Sequence, residues 1–356
     1  RGPSAGAGAE REGFNLGELS VGHPAQALRV VFDTSSGHVQ LPHRACRDPA
    51  CREHRQYSPW ASSTAMDVNA NGTLVQAGHR LAEGRVQRDG VNVSVTHADL
   101  GAGAADGVLV RDSVCLGAAC VDMEVMAALH MDDKPFLAMP NDGIVGLGMR
   151  SLAASPLCSF LGRLMEGSSN VVPQFGIFLG ADGGEVYFGG HDTRHLTAPI
   201  QWFPVDHPDS GYWQVAVRAV RVGNRTVNDC RDGCHAIVDS GASRLGVQDP
   251  NLAPLHAALA SGPGPEGPCQ GPDLTFDLGG MALTLRAEDY ADAACVPELG
   301  PLYLDKGDFT GVYTFGETVL RRYYAAFDWE DRRVGFAPAA WRPAASAGET
   351  ILINDL

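Results

Sequence analysis

At 356 residues the chain exceeds one ordinary domain and predicts two lobes of roughly 150 to 180 residues, each able to bury its own core. A hydrophobic content of 44% fits a globular protein, and no apolar run approaches the roughly 20 residues of a membrane helix. A formal charge of −15 offers no basic face for phosphate, which excludes nucleic acid as a partner and reads as a solvated acidic surface or an adaptation to acid.

Taken from the N terminus, "RGPSAGAGAEREG" lacks the apolar core of a signal peptide and is expected to be a flexible segment, residues 1–13, of a mature form whose leader is gone. "ALRVVF" then reads as a strand running into Asp33 and the turn "DTSSG". Cys46 and Cys51 follow, then the sequons at Asn71 and Asn92 and the close pair Cys115 and Cys120. Helical periodicity is confined to brief stretches near "CSFLGRLMEG" and "NLAPLHAALASG", whereas "GEVYFGG", "YWQVAVRAVRVG" and "LTFDL" read as short strands between turn residues. A third sequon sits at Asn224, ahead of the close pair Cys230 and Cys234. "SGPGPEGPCQGP" is expected to be a long surface loop, and "TILINDL" near the C terminus either an added strand or a frayed end. The chain is therefore mainly β with a few helices.

The nine cysteines suggest four disulfides, with Cys269 and Cys295 as the wider pair and Cys158 left over as a buried thiol. No Cys-x2-Cys or histidine pattern at ligand spacing accompanies them, so no metal and no cofactor are expected. Disulfides and sequons together favour an oxidising route, secreted or lumenal, which includes lysosomal or vacuolar compartments.

"RVVFDTSSGHVQLP" and "HAIVDSGASRLGVQ" both run apolar strand, Asp, hydroxyl residue, small residues, apolar run, and each half carries a later apolar stretch ending in glycine, "DGIVGLG" and "YTFGE". One Asp-Ser/Thr turn alone would be an ordinary cap or Asx-turn; two in matched surroundings about 200 residues apart imply two similar lobes, each offering one aspartate. Brought together, Asp33 and Asp239 could not both ionise comfortably. The pair would titrate as a unit, taking a proton from a water between them and donating one to a substrate carbonyl.

From about Phe14 to Trp341 the chain resembles the pepsin-like aspartic proteases, the cathepsin D, renin and pepsin group, in which such proton sharing is established behaviour. The resemblance is carried, in order, by "VGHPAQALRVVFDT", "CRDPACREHRQYSPWASST", "NDGIVGLGM", "GGEVYFGGHDTRHLTAPIQWFPV", "YWQVAVRAVRVGN", "CRDGCHAIVDSGAS" and "RRYYAAFDWEDRRVGFAPA". It implies a bilobal β fold with a central cleft and a flap hairpin, with an N-terminal lobe over 14–195, a C-terminal lobe over 196–341 and an extension over 342–356. It also implies Asp33 and Asp239 as the catalytic pair, Thr34 and Ser240 as the hydroxyls that cross-link the loops beneath it, and Ser36 and Ser243 as carboxylate partners, with Gly241 keeping the second loop's glycine. Disulfides from Cys46 to Cys51, Cys230 to Cys234 and Cys269 to Cys295 follow from the same likeness, and Cys115 and Cys120 suggest an additional local bridge.

Three positions depart from the family pattern. Ser35 stands where the first loop has glycine, Leu100 where the flap has tyrosine, and Gln40 where the tyrosine's tryptophan partner belongs. Between Thr64 and Leu100 the chain also carries roughly two dozen extra residues, expected as a decorated surface loop or a partner surface. Two functions follow. One is an aspartic endopeptidase that cuts extended peptides with bulky apolar side chains in acid. The other is a pseudo-protease that keeps the cleft as a peptide- or protein-binding or structural secreted protein. Losing one positioning group costs a factor of about 10² to 10³ in turnover, so the three departures favour impaired activity. His38, near Asp33, reads as a solvent-facing histidine, with tuning of the pair or metal binding as the alternatives.

Overall fold

The computed structural model describes residues 16–69, 72–75, 93–97, 103–167, 172–180, 183–260, 262–264, 267–302, 311–340 and 350–353. It is mainly β, as the strand-like runs predict. An eight-stranded sheet occupies the first half, in the order Leu16–Val21, Gln26–Asp33, Gly143–Gly146, Val39–Pro42, Ala119–Met131, Gly103–Leu116 and Met66–Asp67, with Val93–His97 also pairing to Gly103–Leu116. Gly103–Leu116 buries nearly every second residue, the pattern of a strand with one face on the core. Gln26–Asp33 begins that way but is buried continuously from Val30 to Asp33, where it lies between two neighbours at the sheet's interior.

The second half builds a five-stranded sheet, Gln214–Val217, Cys234–Val238, Val312–Phe315, Leu245–Val247 and Leu299–Pro301, and a four-stranded one, Arg225–Asn228, Ala219–Val222, Leu274–Asp277 and Ala282–Leu285. A six-stranded sheet joins the halves, in the order Gln201–Pro204, Arg333–Pro338, Tyr323–Asp328, Gln174–Gly180, Gly183–Phe188 and Thr350–Ile353. Its strands come from both sides of residue 195, where the sequence places the boundary between lobes. Phe175 stacks on Phe327 across this sheet at 4.5 Å, and the fully buried Trp213 meets both edge-on.

The two longer helices, Phe160–Gly167 and Leu252–Ala258, fall where the periodicity places them. Cys46–Cys51, Cys115–Cys120, Cys230–Cys234 and Cys269–Cys295 are disulfides, and Cys158 is a buried free thiol. The expected loop at "SGPGPEGPCQGP" is instead a small hairpin, Gly262–Gly264 against Gly267–Gln270. The C-terminal Thr350–Ile353 pairs parallel to Gly183–Phe188, so of the two readings of the tail the added strand holds. Among the described residues no helix is long and apolar enough to cross a membrane. The N-terminal residues 1–13 and most of the insertion after Thr64 lie outside the described residues.

Candidate active site

Asp33 ends the strand Gln26–Asp33, and Asp239 follows directly on Cys234–Val238. Each of these strands runs parallel to a partner, Gly143–Gly146 in one half and Val312–Phe315 in the other. In each half a short strand then returns antiparallel on that partner, Val39–Pro42 and Leu245–Val247. The internal echo in the sequence is thus the same three-strand crossing built twice. The glycine ending each "apolar-apolar-Gly" stretch has a packing reason. A Cβ on Gly146 would lie 2.6 Å from the Ser36 carbonyl oxygen and the His38 amide, and one on Gly316 would lie 2.5 Å and 2.3 Å from the Ala242 and Arg244 carbonyl oxygens. Only glycine lets these strands pass beneath the aspartate loops.

The loops are tied to each other by a reciprocal cross-link of buried groups. Thr34 Oγ1 donates to the Val238 carbonyl at 2.7 Å and accepts from the Ser240 amide at 3.0 Å. Ser240 Oγ donates to the Phe32 carbonyl at 2.7 Å and accepts from the Thr34 amide at 3.1 Å. Every polar group in this knot has a partner, so the backbones just before Asp33 and Asp239 are locked at fixed separation.

Both aspartates are nearly fully buried, and Oδ1 of each, the oxygen on the inner, Gly241 side, borders one small space. A Cβ on Gly241 would lie 2.9 Å from Asp33 Oδ1 and 3.3 Å from Asp239 Oδ1. The Gly241 amide donates to Asp239 Oδ1 at 2.8 Å, and in the matching place the Ser35 amide donates to Asp33 Oδ1 at 2.8 Å. The symmetry breaks at the side chain, because Ser35 Oγ also donates to Asp33 Oδ1, at 2.7 Å. The departing letter of the first loop therefore touches the carboxylate directly.

The other expected site residues divide. Ser36 and Ser243 do not bond the carboxylates. Ser36 Oγ is buried without a hydrogen bond, and Ser243 is exposed four residues after its aspartate. The residue that matches the spacing of Ser36 from Asp33 is Ala242, buried and without a hydroxyl, so an offset of one position explains the mistaken assignment. His38 Nε2 accepts from the Ala154 amide at 2.9 Å and pins the first loop to the segment beyond Gly148. Gln40 is buried on Val39–Pro42, beside Met131, Phe136 and Met139, and makes no bond to Asp33. Leu100 lies outside the described residues, in the connection between Val93–His97 and Gly103–Leu116, whose last register pair is His97 with Gly103. Asn71 and Asn92 are also outside them, whereas Asn224 is exposed at the turn between Ala219–Val222 and Arg225–Asn228.

One residue the motifs did not single out joins both loops. The Trp213 indole N–H donates to the Leu147 carbonyl at 2.8 Å, while the Leu147 amide donates to the Asp33 carbonyl at 2.7 Å. On the other side the Val238 amide donates to the Trp213 carbonyl at 2.9 Å. The "YWQ" ahead of the second loop carried this signal, but a lone tryptophan in a strand reads first as core.

Comparison with known proteins places this geometry in a lineage. The family model of the eukaryotic aspartyl protease matches residues 15–100 and 94–339. Cathepsin E from Oryctolagus cuniculus is 30% identical over 344 residues, covering 91% of this chain and 80% of the relative. Pepsin-2B from Gadus morhua is 30% identical over 341 residues, covering 91% and 95%. Gastricsin from Homo sapiens is 28% identical over 341 residues, covering 91% and 81%. With the family model and relatives at this identity spanning nearly all of it, the chain belongs to the eukaryotic aspartyl protease family.

Proposed function

We propose that the chain is an aspartic endopeptidase of reduced turnover, hydrolysing extended peptides with a water activated between Asp33 and Asp239. The observation that carries the reading is the reciprocal Thr34 and Ser240 cross-link, which holds both carboxylates against one small space. In that space one carboxylate takes a proton from the water as its oxygen attacks the peptide carbonyl carbon, and the other gives a proton to the carbonyl oxygen. The resulting gem-diol collapses as the C–N bond breaks and a proton passes to the leaving amine, returning the pair to its starting state. No covalent enzyme intermediate forms, and the reaction as a whole adds one water across one amide. Four disulfides and the exposed sequon at Asn224 support a secreted or lumenal setting.

Ser35 supports the reduction in turnover. Its hydroxyl bonds the inner oxygen of Asp33, an acceptor position that an attacking water also needs. The same contact favours a second reading, a pseudo-protease that retains the cleft for binding. Cleavage of a mixed peptide library across the acidic range, with and without a statine-type analogue, separates the two. The expected result is slow, inhibitable cleavage that vanishes in Asp33→Ala and quickens by about tenfold or more in Ser35→Gly. Analogue binding with no cleavage in either the parent chain or Ser35→Gly establishes the pseudo-protease instead.

A further inference from the structure

Away from the aspartate pair, the C-terminal half brings Asp206, His207 and His235 together, with one ligand atom of each within 4.8 Å of the others. His235 Nδ1 lies 2.9 Å from Asp206 Oδ2, and His207 Nε2 lies 3.7 Å from Asp206 Oδ1. In a tetrahedral zinc site, metal–nitrogen and metal–oxygen bonds of about 2.0–2.2 Å separate neighbouring ligand atoms by about 3.3 Å, and each histidine lies within about half an ångström of that separation from one of the two Asp206 oxygens, His235 from Oδ2 and His207 from Oδ1.

The orientation of His235 adds an independent observation. Its Nδ1 is buried and, although close to Asp206 Oδ2, makes no hydrogen bond of acceptable geometry, so the ring's in-plane axis misses the carboxylate oxygen. An ion lying between nitrogen and oxygen would use both lone pairs in that arrangement. The ligands are also held in place. His235 is on a strand paired on both sides, to Ala216 and to Val312, and the Asp206 amide donates to the Gln214 carbonyl on the same sheet at 2.8 Å. His207 holds a left-handed backbone (φ 49°, ψ 56°), uncommon for a residue with a Cβ, and its ring meets that of His235 edge-on with centroids 5.1 Å apart.

The other groups of ligand-type side chains are less suited. Cys46 and Cys51, beside Asp48, are consumed by their disulfide. In the group of Glu185, Asp192 and His195, the Arg194 guanidinium already grips Asp192 and supplies the cation.

We propose that Asp206, His207 and His235 form a binding site for a divalent transition-metal ion of the zinc type, with two imidazoles and one carboxylate as ligands and the remaining position open to water. The sequence gives no hint of it, because two ligands are adjacent and the third is 28 residues further on, a spacing that no zinc motif contains.

Titration of the purified full chain with Zn2+ in neutral buffer, in competition with a chromophoric chelator, tests the proposal. The expected result is one equivalent bound by the parent chain and by Glu185→Gln, with affinity lowered about tenfold or more in His207→Ala, Asp206→Asn and His235→Gln. Zn2+ should also raise the melting temperature of the parent chain and leave that of His207→Ala unchanged. His207 is largely exposed, so its truncation leaves the fold intact and the comparison interpretable. No stoichiometric uptake by the parent chain, uptake unchanged in His207→Ala and Asp206→Asn, or loss confined to Glu185→Gln would each overturn it.

Discussion

Ser35 and Gly241 occupy matched places two residues after the paired aspartates, and comparing them isolates what a single Cβ and hydroxyl do beside a carboxylate. At Gly241 the space is already spoken for, since a methyl group there would press on Asp33 Oδ1 at 2.9 Å and on Asp239 Oδ1 at 3.3 Å. Gly241→Ala should therefore spread the pair and cut kcat by about a hundredfold, because displacement by a fraction of an ångström suffices to spoil attack geometry. The unfolding midpoint should move little, as the loop cross-link beneath is untouched. A variant whose kcat stays within a factor of two of the parent would show that the pair has more freedom than the packing implies. At the same scale Cys158 illustrates chemistry switched off by burial: desolvation pushes its thiol up to about 11, and Glu124 nearby adds to the shift, so the leftover cysteine is core rather than nucleophile.

At the scale of elements, the repeated crossing explains why so much of the site was readable in advance. The strand, Asp, hydroxyl, small-residue pattern is local, and both copies fold into the same parallel pairing, so Asp33, Thr34, Asp239, Ser240 and Gly241 could be placed from sequence. The matched glycines could be seen but not explained until Gly146 and Gly316 were found under the loop carbonyls. What stayed hidden depends on contacts between distant segments. Trp213 is the clearest case, since its indole and its carbonyl reach toward opposite aspartates through Leu147 and Val238. Trp213→Phe keeps an aromatic ring in the core but leaves the buried Leu147 carbonyl without its donor, a cost of about 1–3 kcal/mol in stability. If the bond also positions the loops, kcat falls while KM changes little; equal stability loss with unchanged kcat would reduce Trp213 to a packing role. Ser243 shows the opposite limit of local reading, where a pattern matched one residue out of step selected an exposed serine over the buried Ala242.

For the whole molecule, the sheet joining the halves was the least legible feature. Gln174–Gly180 and Tyr323–Asp328 are strands far apart in the chain, and nothing local tells either that the other is its neighbour. The junction carries its own electrostatic anchor just past Gly183–Phe188. The Arg194 guanidinium beside Asp192 holds its carboxyl down to about 2, against an ordinary value of 3.8, with further help from the Arg194 amide and from His195. A carboxyl held lower in the folded state than in the unfolded one stabilises the fold fully above its ordinary value and loses that contribution as pH falls toward its folded value. The anchor should therefore stay engaged through the moderately acidic range in which the proposed hydrolysis would run, and fail only near pH 2. Asp192→Asn removes the charge and keeps the shape. Its melting temperature should lie below that of the parent at about pH 5, and the gap should shrink steadily as pH is lowered from about 4 to about 2. A gap that persists undiminished at pH 2 would mean that the carboxylate's charge is not what secures this edge of the sheet, and that the hydrogen bond from the Asp192 amide to the Tyr324 hydroxyl, which the substitution leaves in place, does more of the anchoring.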